Sequence, residues 1–443
     1  MKYLRRPLAL SLALSFACAL LWPAQGARTR ASAQTGSRPH VSTGTREGRL
    51  ALFEEVWQTI AARYYDPSLG GLDWQTTREK FLPLATSAGG EAEFYAVLRR
   101  MLATLRDPHT RVYAPGENGA TTGAARFVAV GLSVREVSGE VLVVRVVRGS
   151  DAERAGVRAG DAVVSVEGEA VSHILARSLA ERASDDGAQT RAARHVSASL
   201  IFDGASGTTL RAVFRDARGR ERSVSLKREL RERADELSAR RLDGRIGLIS
   251  FNAFTPETAA QLARALARQL RDARGLVLDL RENGGGESEA MTDAASIFID
   301  AGQPLGRFTN RNGRAEIEPR TRTNMLSSAD ALPRTRAPLV LLTSTRTASA
   351  AEVFVAALVE QGRAVVVGEQ TCGCVLGLRR RHQLADGGAL DISEMDFHTA
   401  LGRRLEGVGI IPHERLAPTR EDLRTGRDRA LERALDILKK SQA

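Results

Sequence analysis

From Arg245 onward the chain alternates short apolar runs with longer amphipathic segments, and this alternation constrains the fold more than any other feature. The apolar runs predict strands at 246–251, 275–280, 339–342 and 364–367. The segments between them predict helices at 256–270, 287–299 and 349–360. Strands that alternate with helices of this length are typical of an α/β sheet covered by helices. A charged amphipathic helix is predicted at 420–440.

Two further domains are predicted ahead of this α/β core, which we expect over 240–443. Apolar residues at helical spacing predict a helical N-terminal domain over 47–120. Residues 127–230 predict a small β domain, with short strands at 127–134, 141–147, 162–166 and 210–214. The segment from Ala155 to Val164 resembles the turn-and-strand signature of a PDZ domain. Another small β domain is the alternative.

The first 33 residues have the pattern of a secretory signal peptide: a basic start, then an apolar run from Leu8 to Trp22, then small residues. Residues 34–46 are rich in Gly, Ser, Thr and Arg and predict a flexible leader. We therefore expect a periplasmic or otherwise exported protein, with association with a membrane surface left open. Lipid anchoring through Cys18 is disfavoured, because apolar residues continue after it.

The net charge gives little support to a nucleic-acid partner. Cutting after Ala33 would remove five basic residues and no acid, which lowers the formal net charge from +11 to +6. The remaining arginines are spread among acids, and no basic patch is interleaved with aromatic residues. A solvated surface is the favoured interpretation, and nucleic-acid binding is not expected.

A hydroxyl residue, Ser349, stands at the predicted junction between the strand 339–342 and the helix 349–360. Free N–H groups and the positive end of the helix dipole at such a junction can stabilise a developing oxyanion. A simple helix cap is the alternative. A second segment, from Asp279 to Gly286, closes a strand with three glycines that allow close backbone approach to a ligand. No Lys-Ser or Lys-Thr pair follows them, so a nucleotide-binding loop is disfavoured.

These two segments, with three others, resemble the C-terminal processing peptidases of the S41 serine proteases. The other motifs are 105–110, 363–371 and 405–412. The resemblance follows the mature chain in order and implies a ClpP/crotonase-like α/β protease core with no cofactor and no metal. It implies that Ser349 is the nucleophile, and that the N–H groups of Gly285 and Ala350 form the oxyanion hole.

The catalytic base departs from the commoner pattern of the family. Many processing peptidases use a lysine in a Thr-x-Gly-Lys-Gly motif, but Cys374 stands at that position here. Some branches, such as the tricorn core protease, resemble a Ser-His-Glu arrangement instead. The matching positions are His109, as the base, and Glu406, as the carboxylate that orients it. His382 and His398 are the alternative bases.

The only cysteines left after signal removal are Cys372 and Cys374. They are open to three interpretations: packed small hydrophobes, a Cys-x-Cys disulfide, or part of a metal site. Two thiolates without nearby histidines are too few for a closed zinc site. A redox effect on activity is a further hypothesis.

The resemblance to a PDZ domain suggests how a substrate is recognised. Such domains hold a C-terminal carboxylate on backbone N–H groups and add the peptide as an extra strand. Gly131 and Leu132 match the carboxylate-binding loop. The primary hypothesis is therefore an exported serine endopeptidase that acts on proteins or peptides with free C-termini. A catalytically inactive peptide-binding protein on the same fold is the main alternative, and a lipophilic carrier is a weaker one.

Overall fold

The computed structural model describes residues 41–117, 126–180, 201–232 (apart from 203 and 205), 237–323 and 335–441. They all belong to one unit, His40–Ala443. The predicted signal peptide 1–33, with Cys18, and most of the predicted leader lie outside the described residues. The helices are α1 (Arg46–Arg63), α2 (Trp74–Thr86), α3 (Glu91–Ala103), α4 (Asp151–Arg154), α5 (Val171–Ala180), α6 (Pro256–Arg264), α7 (Ser288–Ser296), α8 (Ala350–Glu360), α9 (Arg420–Thr425) and α10 (Arg429–Lys440).

The strands fall into three larger sheets and one small pair. In chain order they are β1 (Arg111–Tyr113), β2 (Arg126–Ala129), β3 (Leu132–Val137), β4 (Glu140–Val146), β5 (Ala162–Val166), β6 (Glu169–Ala170), β7 (Thr209–Arg215), β8 (Glu221–Lys227), β9 (Glu229–Glu232), β10 (Leu237–Leu242), β11 (Ile246–Phe251), β12 (Gly275–Asp279), β13 (Arg307–Asn310), β14 (Ala315–Ile317), β15 (Leu339–Thr343), β16 (Ala364–Gly368), β17 (Gly377–Gln383), β18 (Ala389–His398) and β19 (Glu414–Arg415).

Helices α1, α2 and α3 form the helical region that the sequence predicts near the N-terminus. Helix α1 begins after Thr45, whose side chain accepts a hydrogen bond from Gly48 N, and α2 begins after Asp73 in the same way. The apolar faces of these helices pack into one buried cluster. Leu390 and Ile392 of β18 complete that cluster, so the helical region shares its core with the C-terminal part of the chain.

A five-stranded antiparallel sheet in the order β3-β4-β5-β7-β8 forms the small β domain, with β6 beside β5. The expectation of one strand over 127–134 is wrong. The chain turns at Gly131, where φ is +74° and the carbonyl accepts a hydrogen bond from Val147 N, and β2 and β3 lie in different sheets. Strand β3 is an edge strand, because no described strand pairs with its outer side.

The predicted alternation builds a six-stranded sheet in the order β10-β11-β12-β15-β16-β19. All neighbours are parallel except β10, which is antiparallel to β11. Successive residues point to opposite faces, so each strand feeds two apolar layers. Ile249 and Leu341 pack in the layer that includes α6, α7 and α8, whereas Leu248 and Val340 pack against α10. The structure is therefore a mixed α/β fold with a helical N-terminal region.

The sequence did not predict a second antiparallel sheet, in which β18 lies between β1 and β13, with β14 beyond β13 and β17 also paired to β18. The expected single helix at 420–440 is also wrong. It is two helices, α9 and α10, because Gly426 takes the left-handed conformation and ends α9. Within the described residues, no helix combines the length and the apolar character that crossing a membrane requires.

Candidate active site

Ser349 lies where the chain turns from β15 into α8, as the sequence predicts. It is the residue before α8, and its backbone has φ of +56° and ψ of −127°. A non-glycine residue in this region costs on the order of 1–3 kcal/mol and is found preferentially at functional sites. A strained strand-to-helix turn of this kind presents the serine of many hydrolases to its substrate. This conformation is the main geometric support for a nucleophile.

Hydrogen bonds hold the backbone around Ser349 from two neighbouring loops. Ser349 N donates to Cys374 O at 2.8 Å and also approaches Glu352 Oε2 at 3.2 Å. Ala348 N donates to Asn283 O at 3.1 Å. The strained conformation is therefore fixed by main-chain contacts to the glycine segment on one side and to the cysteine segment on the other.

Glu352 is a buried carboxylate that the sequence analysis did not single out. It accepts hydrogen bonds from Gly373 N at 2.8 Å, from Cys374 N at 2.9 Å and from the Thr371 hydroxyl, besides the contact with Ser349 N. Burial raises its pKa although all four donors act in the opposite direction. Its Ser-x-x-Glu spacing from Ser349 is that of a capping box, and this signal could have identified it.

The two predicted oxyanion donors lie beside Ser349. A Cβ added to Gly285, where φ is +105°, would lie 2.6 Å from Ser349 Cβ and 3.1 Å from Ala350 N. Ala350 is the first residue of α8, and its N–H makes no hydrogen bond to another described residue. The N–H of Gly285, in contrast, donates to Asn283 Oδ1 at 2.9 Å. One predicted donor is therefore available, and the other is already engaged.

His109 lies in the loop between α3 and β1, with its side chain mostly buried. Its Nδ1 has no hydrogen-bond partner among the described residues and lies 3.7 Å from Asp107 Oδ1, too far for a hydrogen bond. Asp107 holds the loop by accepting bonds from His109 N at 2.8 Å and from the Thr110 hydroxyl. No hydrogen bond joins His109 to Ser349 or Glu406 in the described part of the chain.

Burial acts on Asp107 and Glu406 with different results. Burial favours the neutral form of Asp107, but the His109 imidazole and nearby hydroxyls outweigh it, so the pKa of Asp107 is lowered. Burial raises the pKa of Glu406 to about 8, and the charges of Asp107 and Glu352 add to the rise. Asp107 and Glu352 are therefore both close enough to Glu406 to interact with it electrostatically. The His109 loop, which contains Asp107, and the Ser349 segment, which contains Glu352, lie in the same region.

Glu406 is bound to the chain that follows the cysteines. Its Oε2 accepts hydrogen bonds from Val375 N at 2.7 Å and Leu376 N at 3.2 Å. The buried Tyr64, which the sequence analysis also missed, lies near the same carboxylates: burial raises its pKa, and Asp107 and Glu406 raise it further. No periodic or motif signal distinguishes Tyr64 from the other apolar residues at the end of α1.

His382 and His398, the alternative bases, both lie on the antiparallel sheet that contains β18. His382 is on β17, and its Nε2 lies 3.5 Å from Glu394 Oε1. Burial lowers the pKa of His382. His398 ends β18, and no described residue is a hydrogen-bond partner of its Nδ1. Among the described residues, neither histidine is hydrogen-bonded to Ser349.

Cys372 and Cys374 form a disulfide, which is one of the three interpretations left open by the sequence. Both are buried, with 6% and 2% of their surfaces exposed. Among the described residues, no group of histidine, cysteine and acidic side chains could hold a metal ion.

The predicted peptide-binding loop precedes the edge strand β3. A Cβ on Gly131 would lie 2.4 Å from Ser150 Cβ, so the site admits no side chain without rearrangement. Leu132, the other predicted residue, is the first residue of β3. Further along β3, Arg135 forms an ion pair with Glu369, in the segment that leads from β16 to Thr371. The β domain and the candidate active site are thus in contact.

Comparisons with known proteins show which family the chain belongs to. The family model described as Peptidase family S41 matches residues 245–416, and the Tricorn protease C1 domain model matches residues 46–103. The chain is 30% identical to the chloroplastic C-terminal processing peptidase of Tetradesmus obliquus, over 83% of this chain and 77% of that protein. It is also 30% identical to a carboxyl-terminal-processing protease of Picosynechococcus, over 82% of each chain.

Solved structures give the same result. The photosystem II D1 C-terminal processing protease is 26% identical and covers 84% of this chain and 93% of its own, with a TM-score of 0.55. Mature CPAF has a TM-score of 0.65 over 89% of this chain and 97% of its own, at 15% identity. The second likeness supports the fold alone.

Proposed function

Because the chain belongs to the C-terminal processing peptidase family of S41 peptidases, it is a serine-type peptidase, and we propose that it is an exported endopeptidase acting on protein C-termini. Export is proposed from the signal-peptide pattern of residues 1–33. The observation that carries the proposed activity is the strained turn that holds Ser349 between β15 and α8.

The proposed reaction is acyl transfer in two steps. Ser349 Oγ attacks the scissile carbonyl carbon, and His109 accepts the hydroxyl proton and passes it to the leaving amine as the C–N bond breaks. Water then attacks the acyl-enzyme, with His109 again taking and returning a proton. No cofactor takes part.

The oxyanion that forms in each step would be stabilised by the N–H groups of Ala350 and Gly285. The Ala350 N–H is supported as a donor by its position at the start of α8. The Gly285 N–H serves only if its bond to Asn283 Oδ1 is exchanged for one to the substrate. One such donor typically contributes about 2.7–4 kcal/mol of transition-state stabilisation.

Glu406 is proposed to orient His109 and to stabilise the imidazolium. In this role Glu406 must be ionised, and its pKa of about 8 makes the role pH-dependent. The carboxylate that lies beside the His109 ring, however, is that of Asp107, whose Oδ1 is 3.7 Å from His109 Nδ1. Since the pKa of Asp107 is lowered, it supplies a negative charge beside the ring over the whole neutral range.

Substrate recognition is proposed at the β domain. The outer side of β3, with which no described strand pairs, suits an added peptide strand, and the turn at Gly131 suits a terminal carboxylate held on backbone N–H groups. The Arg135–Glu369 ion pair joins β3 to the segment after β16, which supports the proposal that a peptide bound on β3 lies close to the peptidase site.

A catalytically inactive peptide-binding protein is the second candidate. Three observations favour it: Cys374 stands where many relatives use lysine, the Gly285 N–H is engaged, and His109 makes no hydrogen bond to Ser349 in the described residues. Such a protein would bind peptide C-termini without cleaving them.

The test is degradation of an unfolded protein by the purified mature chain, beside Ser349→Ala. We expect cleavage by the parent chain, covalent labelling of Ser349 by a fluorophosphonate, and loss of both in the variant with an unchanged melting temperature. Cleavage that survives Ser349→Ala would overturn the nucleophile. A folded parent chain that binds peptides but neither cleaves nor labels would favour the second candidate.

A further inference from the structure

The segment 371–375, here called the disulfide loop, contains the only two cysteines that remain after residue 33. They are joined as Cys372–Cys374, so the bridge closes a ring over a single residue, Gly373. The proposed reaction does not use this disulfide. Its position is nevertheless central, because the backbone of the loop binds three parts of the candidate active site.

The first part is the turn that holds Ser349. Cys374 O accepts the hydrogen bond from Ser349 N at 2.8 Å, and Cys372 N donates to Thr347 O at 3.0 Å. The two cysteines therefore flank the strained turn with one donor and one acceptor. Since a positive φ at a non-glycine residue persists only where the surroundings enforce it, these bonds stabilise the reactive conformation.

The other two parts carry the carboxylates. Gly373 N and Cys374 N donate to Glu352 at 2.8 and 2.9 Å, which anchors the disulfide loop to the first turn of α8. Val375 N donates to Glu406 Oε2 at 2.7 Å. One short loop thus directs backbone donors towards two carboxylates, those of Glu352 and Glu406.

The loop has almost no space in which to rearrange. Gly373 has φ of +75°, and a Cβ there would lie 2.9 Å from the carbonyl carbon of Gly407 and 3.0 Å from Val408 N. Gly407 N also donates to Gly373 O at 2.8 Å. The loop that carries Glu406 therefore packs directly on the disulfide ring.

We propose that the Cys372–Cys374 disulfide is a positioning element of the peptidase site, which holds Ser349 and Glu406 in register, and that its reduction lowers activity. This rests on the proposed function, in which Ser349 is the nucleophile. The reductant is a dithiol, which gives up two electrons and two protons. The S–S bond breaks, two cysteine thiols form, and the dithiol becomes a disulfide.

The first test is the double variant C372A/C374A, which removes the bridge without leaving a reactive thiol. We expect kcat to fall about 10- to 100-fold, because small displacements of reacting groups have effects of this size. The KM for peptide substrates should change little, since the proposed peptide site on β3 is untouched. Val408→Ala, which trims a half-exposed side chain next to the loop, is the matched control and should keep the parent kcat.

The second test uses dithiothreitol on the mature protein, with the thiols counted by alkylation and mass. Because no other cysteines remain, any loss of activity that follows the appearance of two thiols reports on this bond. C372A/C374A should not respond to the reductant. Re-oxidation of the reduced parent chain should restore kcat.

Hydrogen exchange gives a readout that does not depend on cleavage. Peptides covering 347–353 should exchange faster in C372A/C374A than in the parent chain, whereas peptides from β4 and β5 should be unchanged. If C372A/C374A has the same kcat and the same exchange rates as the parent chain, the disulfide has no positioning role. If the parent chain does not cleave peptides at all, but peptides covering 347–353 still exchange faster in C372A/C374A, the result would instead contradict the proposed function.

Discussion

The two sides of the candidate active site are organised differently. On the nucleophile side, Ser349 N approaches two acceptors, Cys374 O and Glu352, and the turn is embedded between buried elements. On the side of the proposed base, His109 Nδ1 is buried with no hydrogen-bond partner in the part of the chain that the structure describes, and Asp107 Oδ1 lies 3.7 Å away.

The difference indicates which part of the reaction is preorganised. Main-chain hydrogen bonds hold Ser349, the proposed nucleophile, in its strained conformation in the absence of substrate. His109, the proposed base, is carried by a loop between α3 and β1, and the hydrogen bonds proposed for it in catalysis are not formed among the described residues. Such bonds are often long in unliganded enzymes and tighten when the substrate binds. We therefore expect substitutions on the two sides to act on different steps.

The largest effect is expected for the base. His109→Ala should lower kcat by on the order of 10⁴- to 10⁶-fold, because serine then has no group to take its proton. The measurement is steady-state cleavage of a peptide substrate, with the melting temperature as a check on folding.

His398→Ala is the matched control, since His398 Nδ1 is also buried with no partner among the described residues, but at the end of β18. It should keep kcat within a fewfold of the parent chain. If His398→Ala or His382→Ala abolishes cleavage while His109→Ala does not, the base has been assigned to the wrong histidine.

The next largest effect is expected for a substitution beside Ser349, on the nucleophile side. Gly285→Ala would place a Cβ 2.6 Å from Ser349 Cβ and 3.1 Å from Ala350 N, so the turn or the glycine segment must shift. We expect kcat to fall by about 10²- to 10³-fold, comparable to the loss of one oxyanion donor. The measurement is kcat and KM on the same peptide.

Gly387→Ala is the control for backbone strain alone. Gly387 has φ of +90°, close to that of Gly285, but apart from its chain neighbours no described residue has an atom within 4 Å of its added Cβ. It should lose some stability and keep kcat. Equal losses of kcat in both variants would mean that the effect comes from folding and not from the crowded site.

A smaller effect is expected for the pH dependence of kcat/KM, because Glu406 is hydrogen-bonded next to the nucleophile side and is proposed to orient His109 on the base side. If ionised Glu406 orients His109, kcat/KM should rise with pH through about 8, the raised pKa of Glu406. The same shift makes the folded state favour the protonated carboxyl. The contribution of Glu406 to the free energy of unfolding should therefore be fully present below the ordinary carboxyl pKa and be lost as pH rises towards 8. Glu406→Gln should remove both dependences.

Asp107→Asn sharpens this prediction. The charge of Asp107 helps to raise the pKa of Glu406, so the variant should move the midpoint of the kcat/KM profile below 8. A profile that keeps its midpoint in both Asp107→Asn and Glu406→Gln would exclude Glu406 as the titrating group.

The smallest effect is expected far from the chemistry. Amidation of the C-terminus of a substrate removes the charge that the turn at Gly131 is proposed to bind. Hydrogen bonds to a charged group contribute about 1.5–3 kcal/mol, so KM should rise about 10- to 100-fold with kcat unchanged. In Gly131→Ala, where a Cβ would crowd Ser150, the free acid and the amide should behave alike. A parent chain that does not distinguish the two substrates would contradict recognition of C-termini.

Much of the fold was predictable, because local pattern and tertiary structure agree. The strand at 246–251 and the helix that follows Ser349 appear nearly as expected, since each has strong apolar periodicity. The antiparallel sheet around β18 was missed, because its strands carry charged residues and pair across long separations. The break at Gly426 was missed because the amphipathic pattern continues across it.

The sequence by itself determined the alternation of the α/β core, the turn that presents Ser349, and the family to which the motifs belong. These follow from periods and spacings that lie within a few dozen residues. Only the tertiary structure decided that Glu352 binds the disulfide loop, that Asp107 lies closest to His109, and that Asn283 occupies the Gly285 N–H. Only the contact of Glu352 with the disulfide loop joins segments that are distant in sequence, but all three relations depend on backbone angles and ångström-scale separations that residue identity alone does not specify.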